Sequence, residues 1–276
     1  MNNRISFYTP PFPSIKNYYD MVDVAIEHGV SSLEGFNVLD FSVPNKEEAK
    51  KIKAYADEKG IKFSCFSVYI NLVGEDRKEM LETLKGYADV ASILGSPYLH
   101  HTIANEFSDP NKVVPYKQEL FAYGISALQA IYDYAESLGV RTVYEEQGYL
   151  FNGICGYERM LDAVNRNVGV VADFANIYQA GDNILDFIKT FAGRFVHAHI
   201  KDITLTKDNP DGNGLKTLKG TYMNEVPVGE GIVPIKEAID LLEKSGYNGY
   251  YGVEYSAKED DTPVIQNTLR LIDSWL

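Results

Sequence analysis

The chain has little of what would place a protein in an oxidising compartment or in a membrane. Two cysteines, Cys65 and Cys155, in 276 residues do not make a disulfide framework. No apolar run approaches the roughly 20 residues needed to cross a bilayer. The opening Met1-Asn-Asn-Arg-Ile-Ser lacks the continuous apolar stretch of a secretory signal, so a reducing cytoplasm is the expected location. Positive charge is also scarce: 26 Lys and Arg against 39 Asp and Glu leave a net charge of −13. Affinity for a phosphate backbone comes mainly from Lys and Arg, so a nucleic-acid partner is disfavoured. No Gly-x-Gly-x-x-Gly follows the first candidate strand and no Walker A loop is found, so the nucleotide-binding alternatives lose their usual signature. No linker composition divides the chain, and its length lies near the ~250 residues of one (β/α)8 barrel.

What the chain does have is a rhythm. Arg4 to Phe7 reads as a first strand, followed by a helix capped by Ser14 and running to His28, with Gly29 behind it. Val30 to Glu34 is a second strand. A helix opened by Asn45 and ended by Gly60 leads to a third strand, Ile61 to Phe66. A helix over Glu75 to Leu94, closed by Gly95, leads to a fourth, Tyr98 to His101. A long helix closed by Gly139 leads to Val140 to Glu145, a helix over Gly156 to Asn165 to Val168 to Asp173, and a helix over Asn183 to Phe191 to Phe195 to Ile200. After a polar stretch, Thr204 to Pro227, with the turn sequence Asn-Pro-Asp-Gly-Asn-Gly, a helix from Pro234 to Lys244 leads to an eighth strand, Tyr250 to Glu254. A helix over Pro263 to Trp275 follows. Eight strands alternating with helices predict a single-domain (β/α)8 TIM barrel over residues 1–276.

In such a barrel the reactive groups sit at the C-terminal ends of the strands. The seventh strand is the informative one: period-two alternation puts His197, His199 and Lys201 on one face, which would line an interior. Glu145, Asp173, His199 and Glu254 each close a hydrophobic run, and if all four point inward they converge. Three carboxylates brought together raise one another's pKa, a conflict that a cation removes. Three oxygen ligands and one imidazole suit Mn²⁺ or Mg²⁺, with Co²⁺ and Zn²⁺ as alternatives.

Several segments match a known family in order and spacing. They are Gly139-Val-Arg-Thr-Val-Tyr-Glu145, Val171-Ala-Asp173-Phe-Ala-Asn176, Val196-His-Ala-His199-Ile-Lys-Asp202, Val228-Gly-Glu-Gly231, and Gly246-Tyr-Asn-Gly-Tyr-Tyr-Gly-Val-Glu254. Over nearly its whole length the chain resembles the xylose-isomerase-like barrel superfamily of sugar phosphate isomerases and epimerases, which also holds inosose dehydratase and the endonuclease IV class. The resemblance implies a divalent metal, Mn²⁺ first, held by Glu145, Asp173, His199 and Glu254. It further implies a polyol bound through vicinal oxygens, and Glu145 and Glu254 exchanging the proton. Glu34, His101, Asn176, His197, Lys201 and Glu230 are the remaining candidates to contact substrate, and His100 or His101 the candidates to protonate a leaving group. The family's ketose 3-epimerase branch carries a His, an Arg and a Glu where this chain has Asn176, Leu205 and Phe151, and Glu146-Gln147 places an additional acid at the rim.

The activity expected is therefore a metal-dependent sugar isomerase or epimerase. The alternatives are a lyase acting on an inosose or 3-keto sugar, or a sugar- or partner-binding barrel without turnover. A neutral carbohydrate is expected over a sugar bisphosphate, although Lys207, Lys216 and Lys219 offer a route to one phosphate. No nucleic-acid or membrane partner is expected, and the assembly is expected to be a homo-oligomer. The 204–227 segment is read as a mouth-side lid or an oligomer contact.

Overall fold

A computed structural model describes residues 1–8, 10–104, 117–209, 212–255 and 260–276. Eight parallel strands close into a barrel: β1 (Ile5–Phe7), β2 (Ser32–Phe36), β3 (Lys62–Val68), β4 (Tyr98–His101), β5 (Arg141–Tyr144), β6 (Gly169–Asp173), β7 (Phe195–Ile200) and, eighth around the ring, β11 (Tyr251–Val253). Each pairs with its neighbour in chain order. The ring shuts where β11 pairs with β1, Ile5 opposite Tyr251 and Phe7 opposite Val253. Helices α1 (Tyr18–Glu27), α2 (Lys46–Glu58), α3 (Arg77–Leu94), α4 (Lys117–Ser137), α5 (Ile154–Val164), α6 (Ile184–Thr190), α7 (Ile235–Lys244) and α8 (Thr262–Trp275) surround it. None of the described helices is long and apolar enough to cross a membrane.

The helices form where periodicity and capping agree. In α7 the buried positions are Ile235, Ala238, Ile239 and Leu242, one stripe of a 3.6-residue repeat. In α2 the Asn45 side chain accepts from Glu48 N–H at 3.1 Å, as the sequence suggests. The first helix differs from its expectation. Asn17, not Ser14, is the cap, accepting from Asp20 N–H at 2.8 Å while Asp20 accepts from Asn17 Nδ2 at 3.0 Å, and this reciprocal pair fixes the start. Where α3 ends, Gly95 has φ 72°, the left-handed cap that lets the chain turn at once into β4.

Two clusters of side chains follow from the closure. Outside the strands, one continuous apolar core joins all the helices to the barrel. Inside, Cys65, Val143 and Val171 form a separate small group. One pleat further along the same strands stand Ser67, Glu145 and Asp173, so period two carries the interior from apolar to polar toward the strand ends.

The 202–226 region is more ordered than a polar insertion suggests. Strands β8 (Asp202–Thr206), β9 (Leu215–Lys216) and β10 (Tyr222–Val226) make a small antiparallel sheet in the order β8-β10-β9. It is tied to the barrel mouth through Tyr149 Oη donating to Lys216 O at 2.6 Å and Leu218 N–H donating to Gln179 O at 2.9 Å. Pro210 and Asp211 of the expected turn lie outside the described residues.

Candidate active site and metal centre

The mouth of the barrel is built around His199. β7 delivers it beside Asp173 of β6, the two being direct register partners. Its Nδ1 lies 2.7 Å from Glu145 Oε2 and 3.9 Å from Asp173 Oδ2, and its Nε2 lies 3.1 Å from Glu34 Oε1. The Tyr8 ring stacks on the imidazole at 4.4 Å and 23°. Burial works against charge on His199, yet Glu34 and Glu145 outweigh it and hold its pKa well above the usual value.

The other expected ligands arrive from both sides. Asp173 is fully buried, and its Oδ1 accepts from the backbone N–H groups of Ala175 and Asn176, each at 2.8 Å, as the chain bends into a 3₁₀ turn over Asn176–Ala180. Its Oδ2 has no hydrogen-bond donor among the described residues. Glu254 follows β11, its backbone N–H donating to Ile200 O at 3.0 Å. Lys201 Nζ stands between the two acids, 2.6 Å from Glu254 Oε1 and 3.4 Å from Asp173 Oδ2. Burial pushes the Glu254 carboxyl up to about 8, Lys201 opposing the shift and Asp173 adding to it. Burial also works against the Lys201 charge, but Asp173, Glu254 and Glu145 raise its pKa well above the usual range.

Asp173, His199 and Glu254 offer ligand atoms within 4.8 Å of one another, and so do His100, Glu145 and His199. This donor set fits a divalent cation on its own chemistry. His199 is shared by the two groups, Asp173 and Glu145 are buried and Glu254 half-buried, and Asp173 Oδ2 has no hydrogen bond among the described residues but an ion-pair contact with Lys201 at 3.4 Å.

Of the residues expected to contact substrate, Asn176 and Lys201 join the cluster, Asn176 Nδ2 donating to Glu145 Oε1 at 3.2 Å. Glu34 and His197 lie deeper, bonded to each other at 2.7 Å. His101 makes no hydrogen bond to the cluster, its Nδ1 meeting Thr102 O at 2.8 Å and its ring standing edge-on to Tyr144, although it lines one cavity with Glu145. Burial lowers its pKa to about 3. Its neighbour His100 takes the inward position, Nδ1 on the Ser67 hydroxyl at 2.8 Å and Nε2 3.6 Å from Glu145 Oε1. Glu230 is exposed on the loop before α7. Lys219, one of the three loop lysines, bonds to Gly181 O. Glu146 is not at an open rim. It is fully buried, both carboxylate oxygens lack a partner among the described residues, and burial followed by Asp173 raises its pKa well above the carboxylate range.

Residue patterns alone do not point to Tyr8 or Ser67. Asp202 is visible in the sequence as part of His-x-Lys-Asp, but its work is structural. Its carboxylate accepts from the N–H groups of Ile203, Gly229, Gly231 and Val233 at 2.9 to 3.2 Å and so shapes the loop carrying Glu230.

A closed (β/α)8 barrel with acids and an imidazole gathered at its mouth defines the class of protein. The chain belongs to the xylose isomerase-like TIM barrel family, whose sequence profile matches residues 22–275. It is 23% identical over 256 residues to an inosose dehydratase of Histophilus somni, covering 86% of this chain and 83% of that one. Its fold matches the apo form of 3-keto-D-glucoside 4-epimerase from E. coli with a TM-score of 0.76 at 16% identity, covering 98% of this chain and 99% of the other. It also matches the IOLI protein with a bound zinc atom, with a TM-score of 0.75 at 18% identity and coverage of 98% and 97%.

Proposed function

We propose that the protein is a metal-dependent sugar isomerase or epimerase that removes a proton from the carbon next to a carbonyl. The observation that carries this reading is His199 at the meeting of two groups of ligand atoms, one with Asp173 and Glu254 and one with Glu145 and His100, with Asp173 Oδ2 hydrogen-bonded to no described residue and in ion-pair contact with Lys201 at 3.4 Å. A divalent cation held by Glu145, Asp173, His199 and Glu254 would polarise the substrate carbonyl and stabilise the negative charge that develops on its oxygen. Mn²⁺ suits the oxygen-rich donor set, with Zn²⁺ and Mg²⁺ as alternatives.

Glu145 and Glu254 rise from strands separated by β6 and β7 and flank the floor made by Asp173 and His199. In the proposed reaction one of these carboxylates takes the proton from carbon. Return of a proton to the other face of the same carbon by the second gives an epimer, and return to the adjoining carbon gives an isomer. Asn176 and Lys201 orient substrate oxygens, and Lys201 offsets the acids' charge. A neutral carbohydrate suits this acidic mouth better than a bisphosphate. Because Cys65 and Cys155 are both free, the site of action we assign is the reducing cytoplasm.

A second reading is favoured by the alignment to inosose dehydratase over 86% of this chain. Proton abstraction would then be followed by loss of a β-substituent. Both readings carry solvent hydrogen into the product. Incubation with Mn²⁺ and a panel of ketoses, inososes and 3-keto glycosides in D₂O, followed by NMR, should show deuterium at the inverted carbon of an epimer, at the adjoining carbon of an isomer or, once the enol left by elimination ketonises, at the carbon that lost its substituent. An inverted centre, a moved carbonyl or a lost substituent then names the branch. Turnover without solvent deuterium would reject proton abstraction by Glu145 and Glu254 in favour of an internal hydride shift.

A further inference from the structure

Glu34 lies inside the barrel with no exposure, and both of its oxygens are taken. Oε2 meets His197 Nε2 at 2.7 Å, while Oε1 meets His199 Nε2 at 3.1 Å and the Ser67 hydroxyl. A carboxylate so enclosed is poorly placed to touch a sugar, yet it touches the residue at the centre of the site. The two edges of the His199 ring have different company. Glu145 and Asp173 stand at the Nδ1 edge, and Glu34 stands at the Nε2 edge.

Both nitrogens of His199 meet carboxylates, Nδ1 at 2.7 Å from Glu145 and Nε2 at 3.1 Å from Glu34, so the ring as it stands gives a proton to each. A ring that holds a cation gives up one of the two and keeps one N–H, and the partner of that N–H decides which nitrogen keeps the lone pair. We propose that Glu34 is a positioning residue for the cation: by accepting the Nε2–H of His199, it directs the Nδ1 lone pair to where Glu145 and Asp173 present their oxygens. This inference rests on the metal-dependent reading above. An ionised carboxylate on the far nitrogen also makes the ring a stronger donor to a metal.

The surroundings of Glu34 support the assignment. The pairing of β2 with β3 slips between Leu33 and Glu34, an irregularity of the kind that re-aims a side chain. On β11, a Cβ at Gly252 would lie 3.0 Å from Glu34 Oε2 and 3.3 Å from His199 Cδ2, so the glycine leaves the space in which the two meet. His197 and Ser67 pin the carboxylate, and Tyr8 covers one face of the His199 ring. The arrangement extends one residue further. Ser67 gives its single hydroxyl hydrogen to Glu34, so its oxygen accepts from Nδ1–H of His100 at 2.8 Å. The His100 Nε2 lone pair therefore faces Glu145.

The test is metal binding rather than turnover. Wild-type, Glu34→Gln and Glu145→Gln proteins, stripped with EDTA, are titrated with Mn²⁺ and Zn²⁺ by calorimetry. Glu34→Gln should keep its circular dichroism and bind either ion 10- to 100-fold more weakly, the range typical of losing an outer partner of a ligating histidine. In ¹⁵N-labelled, Zn²⁺-loaded wild type, long-range ¹H–¹⁵N spectra should show His199 protonated at Nε2 with the ion on Nδ1. This second measurement decides the matter if Glu34→Gln does not fold. Zinc on Nε2 overturns the proposal, and so does equal affinity in wild type and Glu34→Gln. In either case Glu145→Gln still tests the metal centre independently. A folded wild type that takes up neither ion rejects both the centre and the role of Glu34.

Discussion

Lys201 Nζ, 2.6 Å from Glu254 and 3.4 Å from Asp173, supplies positive charge between two acids. Replacing it with Met leaves those carboxylates without their ammonium, a loss worth roughly 3–5 kcal/mol for a buried pair. A divalent cation would restore the missing charge. Lys201→Met should therefore melt lower than wild type in EDTA and gain more on addition of Mn²⁺, as read by differential scanning calorimetry. An equal gain in the two proteins would separate the ion from these acids. His101 gives a different residue-scale expectation. Burial holds its pKa near 3, so in the fold it stays neutral, whereas in the unfolded chain it takes up a proton below about 6.5. Stability contributed by the neutral form is full above 6.5 and is lost as pH falls toward 3, roughly 2 kcal/mol between pH 7 and pH 5. Urea unfolding at those two pH values should show a pH-dependent loss that is smaller by about that amount in His101→Gln. An unchanged difference would mean that the ring protonates in the folded state.

Among the elements, the loop from Val228 to Val233 hangs on one side chain, the carboxylate of Asp202 at the start of β8. A Cβ at Gly231 would fall 2.0 Å from Asp202 Oδ1, so the close approach requires glycine there. Asp202→Asn replaces one acceptor oxygen with an amino group facing backbone donors, and should cost roughly 2–3 kcal/mol in urea unfolding. Amide exchange should rise at Gly229, Gly231 and Val233 first, and uniform exchange across the barrel would contradict a local anchor. The difference between Asp202 and Glu34 shows what can be read from a sequence. Strands that end in acids, and helices that end in Gly before a strand, are local patterns, so the barrel and the cluster of Glu145, Asp173, His199 and Lys201 could be anticipated residue by residue. The outer and inner roles of His101 and His100 could not, because both lie at the end of one short strand and only its register decides which faces inward. Ser67 and Tyr8 carry no spacing signal, since a hydroxyl bridge and a stacked ring depend on strands brought together by closure. The sheet β8-β10-β9 was hidden by its short, partly exposed strands, whose polar composition reads as loop.

At the scale of the whole molecule, the proposed ligands are also the ends of four neighbouring strands, β5, β6, β7 and β11, so an ion there would tie one side of the barrel together. Binding to the native state alone stabilises it by about 2.7 kcal/mol when the ion is at 100 times its dissociation constant. For a chain of this size, that corresponds to a rise in melting temperature of roughly 5–10 °C. The acids make the expectation directional. Without the cation, burial of Glu254 and its proximity to Asp173 oppose its ionisation, and Lys201 compensates only in part. The rise on adding Mn²⁺ should thus be reversed by EDTA and reduced in Glu145→Gln and His199→Ala. It should be unaffected in Arg166→Ala, which breaks an exposed pair with Asp133 and a hydrogen bond to Asn165 O on the outer helical layer. Calorimetric melts of the four proteins with and without Mn²⁺ provide the comparison. If Glu145→Gln and His199→Ala gain as much as wild type, the ion binds elsewhere, and the convergence of strand ends is an electrostatic network rather than a metal centre.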